Sequence, residues 1–183
     1  GENGGWAPHL HFQIMTDLLA EAHLVIKGAA DGELDKRANA AMFVGGWNQL
    51  VAGVNDTVVN IVNPLRVTAD YVDRISKGDM PPIITTEYKG EYSVIKQNLN
   101  ALIEATNGIT ANAKQVAQGN LLIDLKKRSE NDELMESLGN MVDKLKEIVR
   151  EVQAAADGVA TGGQELSATA QSLSQGATEQ AAS

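Results

Sequence analysis

The chain has 183 residues, 43% hydrophobic but only 4% aromatic, and its 15 basic and 24 acidic side chains give a net charge of −9. That balance argues against nucleic acid and against an anionic membrane surface as partners, and the lack of cysteine excludes disulfides and thiolate chemistry. So few rings, with much Ala, Gly, Leu and Val, suit long helices packed by small and branched residues better than one compact core.

The first predicted helix starts at Pro8 and carries Phe12, Met15, Leu19, Ala22, Ile26 and Ala29 at helical steps. At its start, "GGWAPHLHFQI" is similar over a few residues to the HxH element of lysostaphin-type zinc peptidases, through His9 and His11. That element needs a strand, where residues two apart share a face; on a helix the two imidazoles diverge. The one other histidine is His23, so no metal site and no cofactor is expected here, and the segment reads as a leftover of a neighbouring domain. No phosphate loop and no nucleophile–base arrangement occurs, so the chain is not read as an enzyme. "GGW" at Gly45 and Gly46 reads as the loop that ends the first connector.

Three segments then share one layout: a helical stretch, a glycine followed two residues later by an apolar residue, a connector, and a second helical stretch. The markers are Gly32 and Leu34, Gly78 and Met80, and Gly119 and Leu121, at spacings of roughly forty to fifty residues, the range of one supersecondary unit. The second helices align: Trp47 falls on Tyr92, Leu50 on Ile95, Val54 on Leu99, Asn55 on Asn100 and Val58 on Ile103, while Leu134, Leu138 and Val142 keep the same steps. A glycine can end a helix in a left-handed turn, and Pro81 and Pro82 prevent its continuation. A connector of about 13 residues can climb back along a helix, since extended chain covers about 3.3 Å per residue against 1.5 Å in a helix. The second helix then runs parallel to the first. Met80, Ile83 and Ile84 are expected to pin the second connector. Two striped helices bury little alone, so a second copy is expected to complete a parallel four-helix bundle; an ordinary monomeric bundle with incidental long loops is the alternative.

The stripes continue across the unit boundaries. Val51, Val54, Val58, Ile61, Leu65, Thr68, Val72 and Ile75 step by three and four, as do Tyr92, Ile95, Leu99, Leu102, Thr106, Ile109, Ala113 and Val116. Pro64 interrupts the first series, where it suits the first residue of a new helical turn and would kink an unbroken helix. Leu138, Leu145, Val152, Val159, Leu166 and Leu173 recur every seventh residue, with Leu134, Met141, Ile148, Ala155, Gly162, Thr169 and Gly176 as companions, the period of a left-handed coiled coil. Gly158, Gly162 and Gly163 each cost about 1 kcal/mol against Ala. The last helix therefore reads as weakly packed, either a fraying terminus or a section kept responsive to what precedes it.

The Gly-x-apolar markers, the parallel-pair layout and "SENDELMESLGNMVDKLKEIVREV" resemble HAMP domains. The run "NPLRVTADYVDRISKGDMPPIITTEYKGEYSVIKQNLNALIEATNGITANAKQVAQGN" resembles the tandem HAMP arrays of methyl-accepting chemotaxis proteins, and "GQELSATAQSLSQGATEQAAS" the opening of their signalling helix. The resemblance covers residues from about 16 to 183 and is weakest in the first unit, where "DGELDKRANAAMFVGG" carries no proline. It implies an all-α fold of parallel homodimeric four-helix bundles stacked in tandem and continuing into a coiled coil. The divisions are a leader at 1–15, HAMP-like units at 16–62, 63–106 and 107–152, and the start of the signalling and adaptation helix at 153–183. The bundle core is assigned to Val51, Val54, Val58, Ile61, Ile95, Leu99, Leu102, Leu134, Leu138, Met141 and Leu145, and the helix–connector joints to the three Gly-x-apolar markers.

The implied function is a signal relay between a sensor and a kinase-control region. The implied partners are a second copy of the chain, a histidine kinase and coupling protein at a distal tip absent from this sequence, and adaptation enzymes. Glu179 and Gln180 fit the start of the family's methylation pattern; the alternative is a solvated polar pair. No run of about 18 apolar residues spans a bilayer, no signal peptide opens the sequence, and its first residue, Gly1, points to a fragment. A cytoplasmic segment of a soluble or membrane-anchored receptor is expected. The competing readings are a structural coiled-coil stalk and the same relay in a sensor histidine kinase or a cyclase.

Overall fold

The computed structural model describes residues 8–182, with side chains from Leu10 onward, and the described residues form helices and connectors with no strand. Four long helices follow in order: α1, Pro8–Ala30; α2, Gly45–Ser76; α3, Glu91–Ala117; and α4, Glu133–Ala181, with a 3-10 turn at Ala40–Met42. The chain divides into two compact units, one reaching to Ala105 and the other beginning at Thr106. Along the chain α2 lies between the first and second connectors and α3 between the second and third. Pro64 lies inside α2, and the Thr68 hydroxyl donates to the Pro64 carbonyl at 2.8 Å. Gly45 and Gly46 are the first turn of α2 and not the end of a loop.

Three glycines close α1, α2 and α3 in the same way. Gly32, Gly78 and Gly119 have φ of 77°, 78° and 83°, the left-handed region that a Cβ disfavours. After α2, the Asp79 N–H donates to the Arg74 carbonyl at 3.0 Å and the Gly78 N–H to Ile75 at 3.0 Å. After α3, Asn120 donates to Gln115 and Gly119 to Val116; after α1, Glu33 donates to Gly28 and Gly32 to Ala29. This paired bonding satisfies the carbonyls that a helix end leaves orphaned and turns the chain sharply.

Each connector then runs backwards along the helix that follows it. Asp35 meets Arg66 at 2.6 Å, Ala38 meets Asn55, and Ala40 accepts from the Asn48 side chain at 2.7 Å. As the connector advances from residue 35 to 40, its partner on α2 moves back from 66 to 48, so α1 and α2 point the same way. The second connector does likewise, with Ile84 beside Asn100 and Glu87 beside Lys96. In the third, Leu122 and Val149 line one open recess and Lys127 pairs with Glu136.

Two asparagines fix the first two connectors. The Asn55 carboxamide accepts from the Ala38 N–H at 3.0 Å and donates to the Ala38 carbonyl at 2.8 Å. Asn100 does the same for Ile84, at 2.7 and 3.0 Å. Apolar contacts add to this. Val25, Ala38, Phe43 and Val51 are buried together against Ile14, Leu18, Ala40 and Val58. In the second connector Pro81 and Ile84 are buried and Met80 half-buried, whereas Ile83 is 47% exposed. Of the three residues expected to pin that connector, Ile83 does not, because an extended chain lying on a helix turns only some of its side chains inward.

The third connector ends differently. Asp132 caps α4 by accepting from the Met135 N–H, and its carboxylate takes the Arg128 guanidinium at 2.6 and 2.8 Å and the Arg128 N–H at 2.9 Å. The Arg128 side chain and these N–H donors hold the Asp132 carboxyl far below the usual aspartate range.

Replacing Ile84 with Ala is expected to lower stability by about 2–5 kcal/mol, and replacing Ile83 by less than about 0.5 kcal/mol, in thermal melts of the whole chain. Asp132 contributes stability above its unfolded value near 3.8, and that contribution disappears as pH falls through the depressed folded value. The Asp132→Ala chain should therefore melt lower at pH 7, and the gap to the unaltered protein should narrow steadily as melts are repeated towards pH 2.

Candidate interaction surface

Helices paired around a strip of connector leave much apolar surface uncovered. The chain exposes 13753 Å², where a folded monomer of its mass exposes about 8,500 Å². The uncovered apolar side chains fall in rows. On α1 they are Phe12, Met15, Leu19 and Ile26; on α2, Leu50, Val54, Ile61, Leu65 and Val72. Leu18, Leu19, Ala22, Leu50, Val51 and Val54 line an apolar recess of about 220 Å³ between α1 and α2. On α4 the row is Leu134, Met141, Ile148, Val152, Val159, Leu166 and Leu173. Every described residue from Glu147 onward is exposed, so the last part of α4 buries no side chain among the described residues.

The residues assigned to the bundle core divide into three sets. Val51 and Leu99 are buried inside the chain; Val58, Ile95, Leu138 and Leu145 are half-buried; Val54, Ile61, Leu102, Leu134 and Met141 are exposed. A stripe wide enough for a four-helix bundle has one edge turned to its own partner helix and the other turned away. The inward edge also contains Val25, Val62, Ile103, Met135 and Val142, and Phe43 joins them from the first connector; none of these is among the residues assigned to the core. At the joints, Leu34, Met80 and Leu121 are half-buried next to their left-handed glycines.

Most of the charged groups are solvated, and several pair on the surface. Arg66 beside Asp35 and Arg74 beside Asp79 hold both carboxyls below their ordinary value, and both pairs tie a connector to α2. Such exposed pairs contribute little stability. Glu179 and Gln180 lie exposed on α4, within a stretch from Glu151 that holds four acidic residues and no Lys or Arg. His11 is exposed on the helix α1, while the His9 side chain lies outside the described residues, so the reading of the pair is left there. Among the described residues no three His, Cys, Asp or Glu side chains group as a metal site, and no helix is long and apolar enough to cross a membrane.

Asn55 and Asn100 fall at one register position in the sequence, where neither is assigned a role. The signal was present, because a polar residue of one kind at one register position in two apolar helices calls for a fixed partner.

No solved structure matches the chain. Residues 42–108 match the family model of the HAMP domain. That span begins in the 3-10 turn, includes α2 and the second connector with its Asn100 clamp, and ends in α3. The chain thus carries a HAMP domain at residues 42–108.

Proposed function

We propose that the chain is a signal relay of a chemoreceptor, working as a parallel homodimer in which the exposed apolar rows of two copies cover one another. The observation that carries this reading is the row on α4: apolar residues at every seventh position from Val152 to Leu173, on the part of the helix whose described residues are all exposed. HAMP domains relay signals between sensor and effector in receptors. Two parallel pairs facing each other would bury Leu19, Leu50, Val54, Ile61, Leu134 and Met141 in four-helix bundles, and α4 would continue as a two-stranded coiled coil. A tandem of three such units along 16–62, 63–106 and 107–152 would share α2 and α3 between neighbours, so a shift in one unit would be carried into the next by a common helix.

The tail favours a chemoreceptor over a histidine kinase or a passive stalk. "GQELSATAQSLSQGATEQAAS" resembles the opening of the chemoreceptor signalling helix, and a stalk has no need of connectors clamped by asparagine. In this reading Glu179 and Gln180 are methylation positions, Gln180 once its amide is hydrolysed to a carboxylate, and esterification removes a carboxylate charge and relieves repulsion along a tail without Lys or Arg. The segment would work in the cytoplasm of a soluble or membrane-anchored receptor, with a kinase, a coupling protein and adaptation enzymes as distal partners. No catalytic step is assigned to it.

Single cysteines at Val54, Leu102 or Leu166 should cross-link efficiently to the same residue of a second copy, since the chain has no cysteine of its own. Linking confined to distant, unlike positions would overturn parallel packing. The relay itself is read by inserting one to four or seven residues after Thr106, inside the continuous helix α3, in a full-length receptor carrying this segment. Output should fail with one or two, partly return with three or four and return with seven, which restores the heptad. Output indifferent to insertion length would leave α3 a passive tether.

A further inference from the structure

The aligned second helices place Asn55, Asn100 and Gly139 at one position, and the first two hold a connector by both backbone groups of one residue. At the third, a glycine stands where the carboxamide would be. Among the described residues no side chain hydrogen-bonds the backbone of Ile123 or Leu125, the stretch of connector opposite Gly139. Instead Ile123, Leu125, Gly139, Val142, Asp143 and Lys146 line an open recess of about 200 Å³. A Cβ built on Gly139 would meet no atom within 4 Å, so crowding does not explain the glycine.

The third connector is held firmly only at its ends. Gly119 and Asn120 close the turn after α3, and the Leu122 N–H donates to the Asn120 side chain in the same turn. At the far end stand the Arg128–Asp132 and Lys127–Glu136 pairs. Between them only half-buried apolar side chains, Leu121, Ile123 and Leu125, touch the bundle. Apolar contact is non-directional and tolerates sliding, whereas a two-bond amide clamp fixes one register.

We propose that the third connector is a releasable strap: its middle, residues 121–126, lifts from α4 between two fixed ends, while the first two connectors stay clamped. The unit that leads into the long tail of α4 is then the most easily rearranged, and Gly139 is the residue that sets this. Any part the strap plays in signalling rests on the relay reading above; its release does not.

The test uses introduced thiols, which are unambiguous in a chain without cysteine. Ile103 and Val142 each lie three residues beyond the clamp position, and they are nearly equally buried, at 1% and 2% exposure. In the whole chain, Val142→Cys should react with a small maleimide about tenfold or more faster than Ile103→Cys, the order of protection that two part-buried hydrogen bonds give against local opening. Adding Gly139→Asn should slow the reaction at Val142→Cys, and adding Asn100→Ala should quicken it at Ile103→Cys, with helix content unchanged. Equal rates at the two thiols, or no response at Val142→Cys to Gly139→Asn, would overturn the proposal. If the Gly139→Asn chain does not fold, the Asn100→Ala arm decides: no acceleration at Ile103→Cys overturns it as well.

Discussion

An apolar row that the chain does not cover is the constraint on which the rest of the structure depends. Beyond Arg150 every described residue of α4 is exposed, and Val152, Val159, Leu166 and Leu173 lie on one side. Covering a branched aliphatic side chain is worth about 1.5–3 kcal/mol. The helix also holds Gly158, Gly162 and Gly163, each costing about 1 kcal/mol against Ala. An isolated helix of this composition is marginal in water, so its stability depends on whatever meets that row. A second copy in the same direction, as proposed above, would meet Val with Val and Leu with Leu along the row and would leave the acidic residues of the tail at the edges.

The connectors answer the other half of the problem. Two helices can point the same way only if the chain returns along the second, and that return exposes a length of unpaired backbone. The left-handed glycines start it, the carboxamides of Asn55 and Asn100 satisfy one residue of it in both directions, and buried Ala38 and Ile84 hold it down. Neutral amide pairs of this kind are indifferent to salt and to pH near neutrality. The third connector relies on charge at one end, through Arg128 and Asp132, and on apolar contact elsewhere. Its attachment is chemically distinct from the other two, although the backbone path is alike.

The helices, their continuity through two connectors' worth of chain, and the three glycine joints were legible because each leaves a strong local mark: a period, a left-handed turn, a proline. Which edge of a stripe faces the chain's own partner helix was not legible. Val51 and Val54 are both apolar and three apart, but one is 3% and the other 39% exposed, and only the path of the connector decides between them. Ala38 and Phe43 enter the core from a segment with no period at all. Pro64 inside α2 shows the limit of a local rule: a proline can sit within a helix when its neighbours take up the slack. Asn55 and Asn100 were visible as a matched pair, and their partner was not, because it is backbone rather than side chain.

The central claim is that the uncovered rows meet their own copies in register. Spin labels at Asn60→Cys and, in a separate sample, at Ser172→Cys measure the distance between equivalent residues of two copies at exposed points far apart along the chain. The account predicts short distances of similar size at both sites. A short distance at one site with a long one at the other, or no coupled pair at either, would contradict it.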